Sequence, residues 1–265
     1  MSLNPMISCL CITKNSAVLL SRAIECFESQ TYPFKELLVI YESDNTGIDE
    51  VIAQKKVNKE IHFIEVPAAP KQSLGELRNY SIELAKGELF CQWDDDDWYA
   101  ANRLEEQLRS LQLHEADVCF LGYWIIYDHT DGKAYISFRR NWEGTVLAKK
   151  SIINEACCYA ALPKAEDTAF KEAVEANYKI DRFFAPHLYI YTYHGNNTWD
   201  YPHFQKNFEL GEQLSAELAS LCGDILNNKY NLPTATKLLQ QDAIINELKE
   251  KMNAVDLKTG VDIIK

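Results

Sequence analysis

Apolar and amphipathic stretches alternate along the first hundred residues of the chain. Four short apolar runs predict strands, at residues 6–12, 35–43, 61–67 and 88–93. Between these runs, apolar residues recur at helical spacing and predict helices over residues 16–30, 48–56 and 73–87. Ser16 is placed to cap the first of these helices, and Gly87 is placed to end the third as its C′ glycine.

Strands that alternate with helices predict an α/β fold with a mainly parallel sheet flanked by helices, because parallel neighbours require a crossover connection. In such open sheets, ligands bind beyond the carboxyl ends of the strands. Polar residues lie at the carboxyl ends of three of the predicted strands, at residues 13–15, 42–43 and 94–97. We therefore expect these three segments to meet in one site.

The second half of the chain has a less regular pattern. Residues 116–128 predict one strand, residues 128–135 a hairpin turn and residues 187–194 another strand, while residues 165–179 have the periodicity of an amphipathic helix. From residue 204 onward the pattern is mostly helical. We expect a catalytic domain over residues 1–206 and a helical C-terminal extension over residues 207–265.

Composition excludes several classes of function. The chain has 265 residues, which favours one large domain, and a net charge of −12, which argues against a nucleic-acid partner. It has no apolar run of the ~20 residues that a membrane span needs, and no signal-peptide pattern at its start. Eight scattered cysteines without a Cys-x-x-Cys pair suggest free thiols in a reducing compartment. These observations favour a cytoplasmic protein.

Four consecutive aspartates, residues 94–97, raise the main chemical question of the sequence. One or two of them could serve only as helix caps or first-turn charges before the following helix. Four adjacent carboxylates repel one another, however, and a divalent cation would relieve that repulsion. Hard cations such as Mg²⁺ are often held by one or two carboxylates together with substrate phosphates. The run therefore suggests a metal site.

Several ordered motifs, taken together, resemble the family 2 glycosyltransferases, which have the Rossmann-like GT-A fold. They are Ser-Gln-Thr-Tyr before the second strand, Arg-Asn in the third helix, Lys-Gly-Glu, and the aspartate run followed by Trp-Tyr and Arg-Leu. The resemblance is close over residues 7–107 and weaker to about residue 198. It implies an inverting transferase that uses a nucleotide-sugar donor and a divalent metal, Mn²⁺ or Mg²⁺.

The resemblance also implies donor-binding roles for individual residues. Asp94 and Asp96 match the outer positions of the family's Asp-x-Asp motif and are the expected metal ligands, with His194 as a third candidate. Thr13, Lys14, Glu42, Arg78, Asp94 and Asp95 are the expected donor-binding residues. Lys14 stands where the family usually has an aromatic residue, and Glu42 where it usually has Asp, which leaves the nucleobase open. Asp97 is expected to contact the donor sugar or to cap the next helix.

For the acceptor side, residues 162–180 resemble the family's Gly-Glu-Asp segment, with Ala165 in place of the glycine. The resemblance implies that Asp167 is the catalytic base and that Glu166 assists it. In an inverting reaction, a carboxylate removes the proton of the acceptor hydroxyl as its oxygen attacks the anomeric carbon. Trp142 could stack on a sugar or belong to the core.

The predicted function is transfer of a hexosyl or N-acetylhexosaminyl group from a nucleotide-sugar donor, with UDP as the expected nucleotide, to a hydroxyl of a glycan or lipid-linked acceptor in polysaccharide biosynthesis. The alternatives are a noncatalytic nucleotide-sugar or glycan-binding module of the same fold, and a nucleotidyltransferase. The C-terminal helices are expected to pack in the core; closure over the site, a homodimer contact and peripheral contact with the inner face of a membrane are the alternatives.

Overall fold

The computed structural model describes residues 4–14 and 17–260 of the chain. Ser16, which the sequence places as the cap of the first helix, lies outside these residues. In the described part of the chain, no helix is both long enough and apolar enough to span a bilayer.

The described residues form twelve strands and nine α-helices. The strands are β1 (Ile7–Thr13), β2 (Lys35–Glu42), β3 (Ile61–Val66), β4 (Leu89–Gln92), β5 (Trp98–Tyr99), β6 (Val118–Leu121), β7 (Ile125–Asp128), β8 (Lys133–Ile136), β9 (Leu147–Lys149), β10 (Ile180–Phe183), β11 (Tyr189–Tyr193) and β12 (Glu212–Gln213). The helices are α1 (Ala17–Glu28), α2 (Asp49–Lys55), α3 (Leu74–Leu84), α4 (Arg103–Leu113), α5 (Asp167–Asn177), α6 (Tyr201–Leu210), α7 (Ala216–Leu226), α8 (Leu232–Leu239) and α9 (Asp242–Thr259).

Seven strands form the main sheet, in the order β10-β6-β9-β4-β1-β2-β3. β1 pairs in parallel with both β2 and β4, and β3 pairs in parallel with β2. β9 is antiparallel to β4 and β6 and lies between them. The predicted α/β fold with a mainly parallel sheet is therefore confirmed. Helices cover the apolar faces of this sheet, as the alternating pattern requires.

A second sheet has the order β12-β8-β7-β11-β5. The single strand predicted over residues 116–128 is wrong: the chain forms β6 in the main sheet and then β7 in the second sheet. Both strands are fully buried, so their continuous apolar sequence contains no signal for the break. Gly122 lies at the break, where an added Cβ would come within 2.5 Å of the Phe184 ring.

Gly87 does not serve as the predicted C′ glycine. α3 ends at Leu84, and Ala85 at its C-cap has extended backbone angles. Gly87 is instead required by a close approach, because a Cβ there would lie 2.6 Å from the carbonyl oxygen of Leu89 and 2.7 Å from that of Met6. Position 87 does require a glycine, but the reason is close packing beside β1 and β4 and not the end of a helix.

The C-terminal helices share a core with the sheets, which confirms the expectation of core packing. Leu248 and Val255 on α9 are buried in the same apolar cluster as Ile125. Tyr123 also donates a hydrogen bond to the buried Asp256 on α9. The predicted division between residues 206 and 207 falls within α6, and it stays a prediction.

Gly75 sets the position of α3 against the segment that precedes α5. Its N–H donates to the carbonyl oxygen of Leu162 at 3.2 Å, and an added Cβ would lie 1.7 Å from the carbonyl oxygen of Ala160. We expect Gly75→Ala to lower the free energy of unfolding by about 3 kcal/mol, since two backbone segments would have to separate. Urea unfolding followed by circular dichroism measures this change.

Gly47→Ala is the matched control, because the nearest atom to an added Cβ there lies 3.8 Å away. We expect the control to change the free energy of unfolding by no more than about 0.5 kcal/mol. Equal unfolding midpoints for the Gly75→Ala variant and the wild-type chain would contradict this account of the packing.

Candidate active site

A cleft lies at the carboxyl ends of β1, β2 and β4 and contains two adjoining cavities. The wide pocket, about 940 Å³, is lined by the ends of β1 and β2 and the start of α3. The inner pocket, about 370 Å³, is lined by residues 140–144, 164–168 and parts of the segment after β11. Asp95, Asp96 and Asn197 line both cavities and so mark their junction. The topology thus brings together the polar segments that the sequence placed at strand ends.

The wide pocket contains Thr13, Lys14 and Glu42, three of the expected donor-binding residues. Lys71 forms an ion pair with Oε2 of Glu42. The other carboxylate oxygen of Glu42, Oε1, is buried and has no hydrogen-bond partner among the described residues. A buried acceptor without a donor is unfavourable, so a ligand that supplies an N–H or O–H would satisfy it.

The first two aspartates of the run have different partners. Asp94 Oδ1 lies 3.4 Å from the guanidinium of Arg78. Asp95 accepts a hydrogen bond from the hydroxyl of Thr13. Burial raises the pKa of Asp95 to about 8, and the neighbouring charges of Asp96 and Asp94 add to this effect. Burial also raises the pKa of Asp94. This end of the cleft therefore favours a positive charge.

Asp96 belongs to a polar cluster at the junction of the two pockets. Its Oδ2 lies 3.2 Å from Nε2 of His194 and accepts a hydrogen bond of 3.0 Å from Nδ2 of Asn197. Asn197 also accepts from the backbone N–H of His194 and donates to the carbonyl oxygen of Thr192. Sequence reasoning identified His194 but missed Asn197, whose only signal was its place two residues after Gly195.

A divalent cation would find two protein donors here, the carboxylate of Asp96 and the imidazole of His194. No group of three or more His, Cys, Asp or Glu side chains in the described residues is arranged to hold a metal. Two protein donors nevertheless suit a cation that takes its remaining ligands from substrate phosphates and water. The junction therefore fits a metal that is bound together with its substrate.

Asp97 has a structural environment. Its side chain is fully buried and accepts hydrogen bonds from the hydroxyl of Tyr189 and from the backbone N–H of Thr192, the latter at 2.9 Å. The expected roles of Asp97 are therefore wrong: it lines neither pocket, and the N-cap of α4 is Asn102, without a side-chain cap bond. Burial raises the pKa of Asp97 well above its usual range.

Arg78 is buried on α3 and faces the inner pocket. Its Nε donates to Oε1 of Glu166 at 2.9 Å, and one of its terminal nitrogens donates to Gln92. Another acid, Glu143, has its Oε1 3.8 Å from the guanidinium. Arg78 is thus surrounded by carboxylates at the wall of the cleft, and it holds Glu166 against α3.

Glu143 is a site residue that the sequence analysis missed. It is buried, accepts a hydrogen bond from the hydroxyl of Tyr159 and lines the inner pocket. Burial raises its pKa to about 8, although the nearby Arg78 opposes this shift. The segment "EGT" directly after Trp142 was the one available signal. Trp142 lines the pocket and also packs against Tyr191, with ring centroids 4.6 Å apart, which supports its core role, while stacking on a sugar stays a prediction.

Asp167, the expected base, is partly exposed and lines the inner pocket as the first residue of α5. Ala165, two residues earlier, has φ of 55°, a left-handed conformation that glycine adopts more readily. The turn therefore keeps the backbone shape for which glycine is suited. Trp199, which the sequence analysis did not single out, lines the same pocket and stacks on His203 with centroids 4.7 Å apart.

Comparison with known proteins adds independent information about this cleft. The model of the family described as glycosyl transferase family 2 matches residues 8–165. Glycosyltransferase GlyG of Streptococcus pneumoniae serotype 4 is 29% identical over 119 residues, which make up 42% of this chain and 38% of that protein. Matches to four curated relatives cover 36% to 47% of those proteins, so the chain spans less than half their length.

Solved structures with low sequence identity share the fold. S. aureus TarS 1–349, in complex with UDP-GlcNAc, has a TM-score of 0.60 and 14% identity, with coverage of 97% of this chain and 76% of that chain. The mannosyltransferase PcManGT from Pyrobaculum calidifontis, in complex with GDP-Man and Mn²⁺, has a TM-score of 0.56 and 12% identity, with coverage of 99% and 77%.

Because the pKa of Glu143 is raised, we expect the free energy of unfolding to depend on pH through this carboxyl. A carboxyl whose folded pKa of about 8 exceeds its unfolded value of about 4.5 stabilises the folded chain at low pH. This stabilisation is lost as pH rises from about 5 to about 8. In this range the carboxyl makes the free energy of unfolding fall by up to about 1.4 kcal/mol per pH unit. We expect Glu143→Gln to remove this contribution. Urea unfolding at half-unit pH steps, without divalent cations, measures that slope.

Glu83→Gln, at an exposed carboxyl on α3, is the control and should keep the wild-type slope. Parallel stability curves for the wild-type chain and the Glu143→Gln variant would show that Glu143 is not protonated preferentially in the folded state.

Proposed function

The chain belongs to glycosyl transferase family 2 and has the GT-A fold, and on that premise we propose that it is an inverting, metal-dependent transferase. It moves a sugar from a nucleotide-linked donor, UDP-linked by preference, to a hydroxyl of an acceptor. The observation that carries this proposal is the position of Asp96 and His194 between a wide pocket and an inner pocket that contains Asp167.

The wide pocket is the proposed nucleotide site. Its volume of about 940 Å³ is ample for a nucleoside diphosphate, and small-molecule sites are commonly ~300–1,000 Å³. Glu42 supports this assignment, since its partnerless Oε1 would accept from a uracil N–H or a ribose hydroxyl. Thr13, Lys14 and Asp95 line the same pocket and are the proposed contacts for the rest of the nucleotide.

The junction is the proposed site of the diphosphate and of the metal. Asp96 and His194 would hold a divalent cation, with Asp94 nearby, and the bound cation would stabilise negative charge on the departing diphosphate. Arg78 adds a fixed positive charge beside Asp94. Asn197 keeps Asp96 and the backbone of His194 in place through its hydrogen bonds.

The inner pocket is the proposed site of transfer. Asp167 takes the proton of the acceptor hydroxyl while that oxygen attacks the anomeric carbon, and the bond to the diphosphate breaks on the opposite face. A donor with an α-linkage then gives a β-linked product. Glu166 is held by Arg78 at 2.9 Å, so we assign it to positioning the turn that carries Asp167.

The ligands of the similar solved structures support the proposed type of donor by analogy. One is in complex with UDP-GlcNAc and the other with GDP-Man and Mn²⁺, which supports a nucleotide-sugar donor and a metal for this chain. The transferred group is proposed to be a hexosyl or N-acetylhexosaminyl unit. The acceptor is proposed to be a glycan or lipid-linked oligosaccharide of polysaccharide biosynthesis, handled on the cytoplasmic side of the membrane.

Replacing the proposed base tests whether the cleft is catalytic. We expect Asp167→Asn to lower the rate of sugar transfer by about 10²–10⁴-fold, because the amide cannot accept the proton. Binding of UDP should stay unchanged, since the side chain lines the inner pocket and not the wide one. The measurements are product formation from a panel of nucleotide sugars and calorimetry with UDP.

Glu172→Gln, an exposed substitution on the same helix, is the matched control and should keep full activity. Unchanged turnover in the Asp167→Asn variant would favour a different base, and the absence of any transfer by the wild-type chain across the panel would favour a noncatalytic binding module.

Replacing Asp96 tests the metal site separately from catalysis. We expect Mn²⁺ to tighten UDP binding to the wild-type chain, and Asp96→Asn to abolish most of this effect because a carboxylate ligand is lost. Calorimetric titration of UDP with and without Mn²⁺ measures the difference. Asp200→Asn, at an exposed acid before α6, should retain the metal effect. A metal effect of equal size in the Asp96→Asn variant would place the cation elsewhere.

A further inference from the structure

Arg140 lines the inner pocket and forms no ion pair with an acid of the described residues. Within the described residues, no carboxylate forms an ion pair with its guanidinium, whereas Arg78 has three such neighbours. One terminal nitrogen of Arg140 donates to Oδ1 of Asn207 at 3.0 Å, and its Nε is buried without any hydrogen-bond partner. A guanidinium carries five N–H donors, and one of those of Arg140 donates to a side chain of the described residues.

Aromatic rings hold this guanidinium in one orientation. Its carbon lies 4.6 Å from the ring centroid of Phe138 and 5.2 Å from that of Trp124, which is fully buried. Such cation–π contacts orient and partly stabilise the charge, but they do not satisfy its N–H groups. Burial lowers the pKa of Arg140 to about 10, in agreement with a cation whose desolvation is incompletely compensated.

The other groups that face Arg140 form the acceptor side of the cleft. Asp167 and Tyr191 line the same pocket and interact electrostatically with the guanidinium. Lys164, with its Nζ 5.5 Å above the Trp199 ring, adds a second cation at the rim. Lys171 is also close, but it is paired with Glu175 at 3.1 Å. Two cations and a half-buried indole ring thus line the same pocket as the proposed base.

We propose that Arg140 binds a phosphate or carboxylate carried by the sugar substrate in the inner pocket, and that this anionic group belongs to the acceptor. The inference rests on the proposed function for the identity of the substrate as a sugar. It assigns the group to the acceptor because Arg140 shares a wall with Asp167, which must contact the acceptor hydroxyl. A planar guanidinium with free donors matches either anion in bidentate fashion.

The test uses the full chain saturated with UDP and Mg²⁺, so that the diphosphate site is filled before the probe is added. The probe is glycerol 3-phosphate, with glycerol as its neutral counterpart, and binding is followed by NMR titration. We expect the phosphate to bind to the wild-type chain and glycerol not to bind. Arg140→Gln should weaken binding of the phosphate by about tenfold or more, as expected when a charge-assisted pair is lost.

Two variants separate binding from folding. Arg140→Lys keeps the charge without the planar fork and should bind the probe with intermediate affinity. Arg139→Gln removes the neighbouring arginine, which lies 4.0 Å from Asp256 and does not line the pocket, so it should bind the probe as the wild type does. Equal affinity of the wild-type, Arg140→Gln and Arg140→Lys chains for glycerol 3-phosphate would overturn the proposal.

A second experiment tests whether the anionic group belongs to the acceptor or to the donor. UDP-glucuronate and UDP-glucose are compared by calorimetry with the wild-type and Arg140→Gln chains. An acceptor anion predicts that the ratio of the two affinities is the same in both chains, whereas loss of a preference for UDP-glucuronate in the variant would assign the anion to the donor instead. If the wild-type chain bound no UDP, the proposed function would fail, and the glycerol 3-phosphate comparison without UDP would still decide the role of Arg140.

Discussion

Repulsion among four adjacent carboxyl groups constrains the whole carboxyl edge of the main sheet. The backbone after β4 turns so that each side chain meets a different partner: Arg78 for the first, Thr13 for the second, His194 and Asn197 for the third, and Tyr189 for the fourth. These partners lie on β1, α3 and β11 and on the segment that follows β11. The acidic run therefore fixes how the second sheet and α3 sit against the main sheet, because each contact satisfies a buried or half-buried acid.

Local periodicity predicted the parts of the fold in which one stretch of sequence decides its own structure. β1, β2, β3 and β4 and the helices between them follow from their apolar patterns, and the parallel order places Thr13, Glu42 and Asp96 in one cleft. The pattern failed where a structure depends on distant neighbours. At the break between β6 and β7, Gly122 packs against the ring of Phe184, and Gly87 is needed because the backbone of Met6 and of Leu89 lies close to it.

The same distinction explains which site residues were found. Asp96, His194 and Asp167 belong to residue types and spacings that resemble known motifs, and the fold brings them to one cleft. Glu143 and Asn197 are important through contacts with residues far away in sequence, such as Tyr159 and Asp96. A buried glutamate or a loop asparagine is not distinguishable from its exposed counterparts by sequence spacing alone. Their roles follow from their burial and their hydrogen-bond partners, which are properties of the folded structure.

The charges of the cleft are divided between its two walls, and this division has a chemical consequence. Around Arg78, three carboxylates outnumber one cation, so that wall favours a metal and repels an anion that arrives alone. Around Arg140, no acid of the described residues forms an ion pair with the guanidinium, and Lys164 lines the same pocket as a second cation. A substrate with its own negative charge would be repelled by the first wall and attracted by the second. The two walls would therefore orient such a substrate, with its charged end at Arg140 and its hydroxyl toward Asp167.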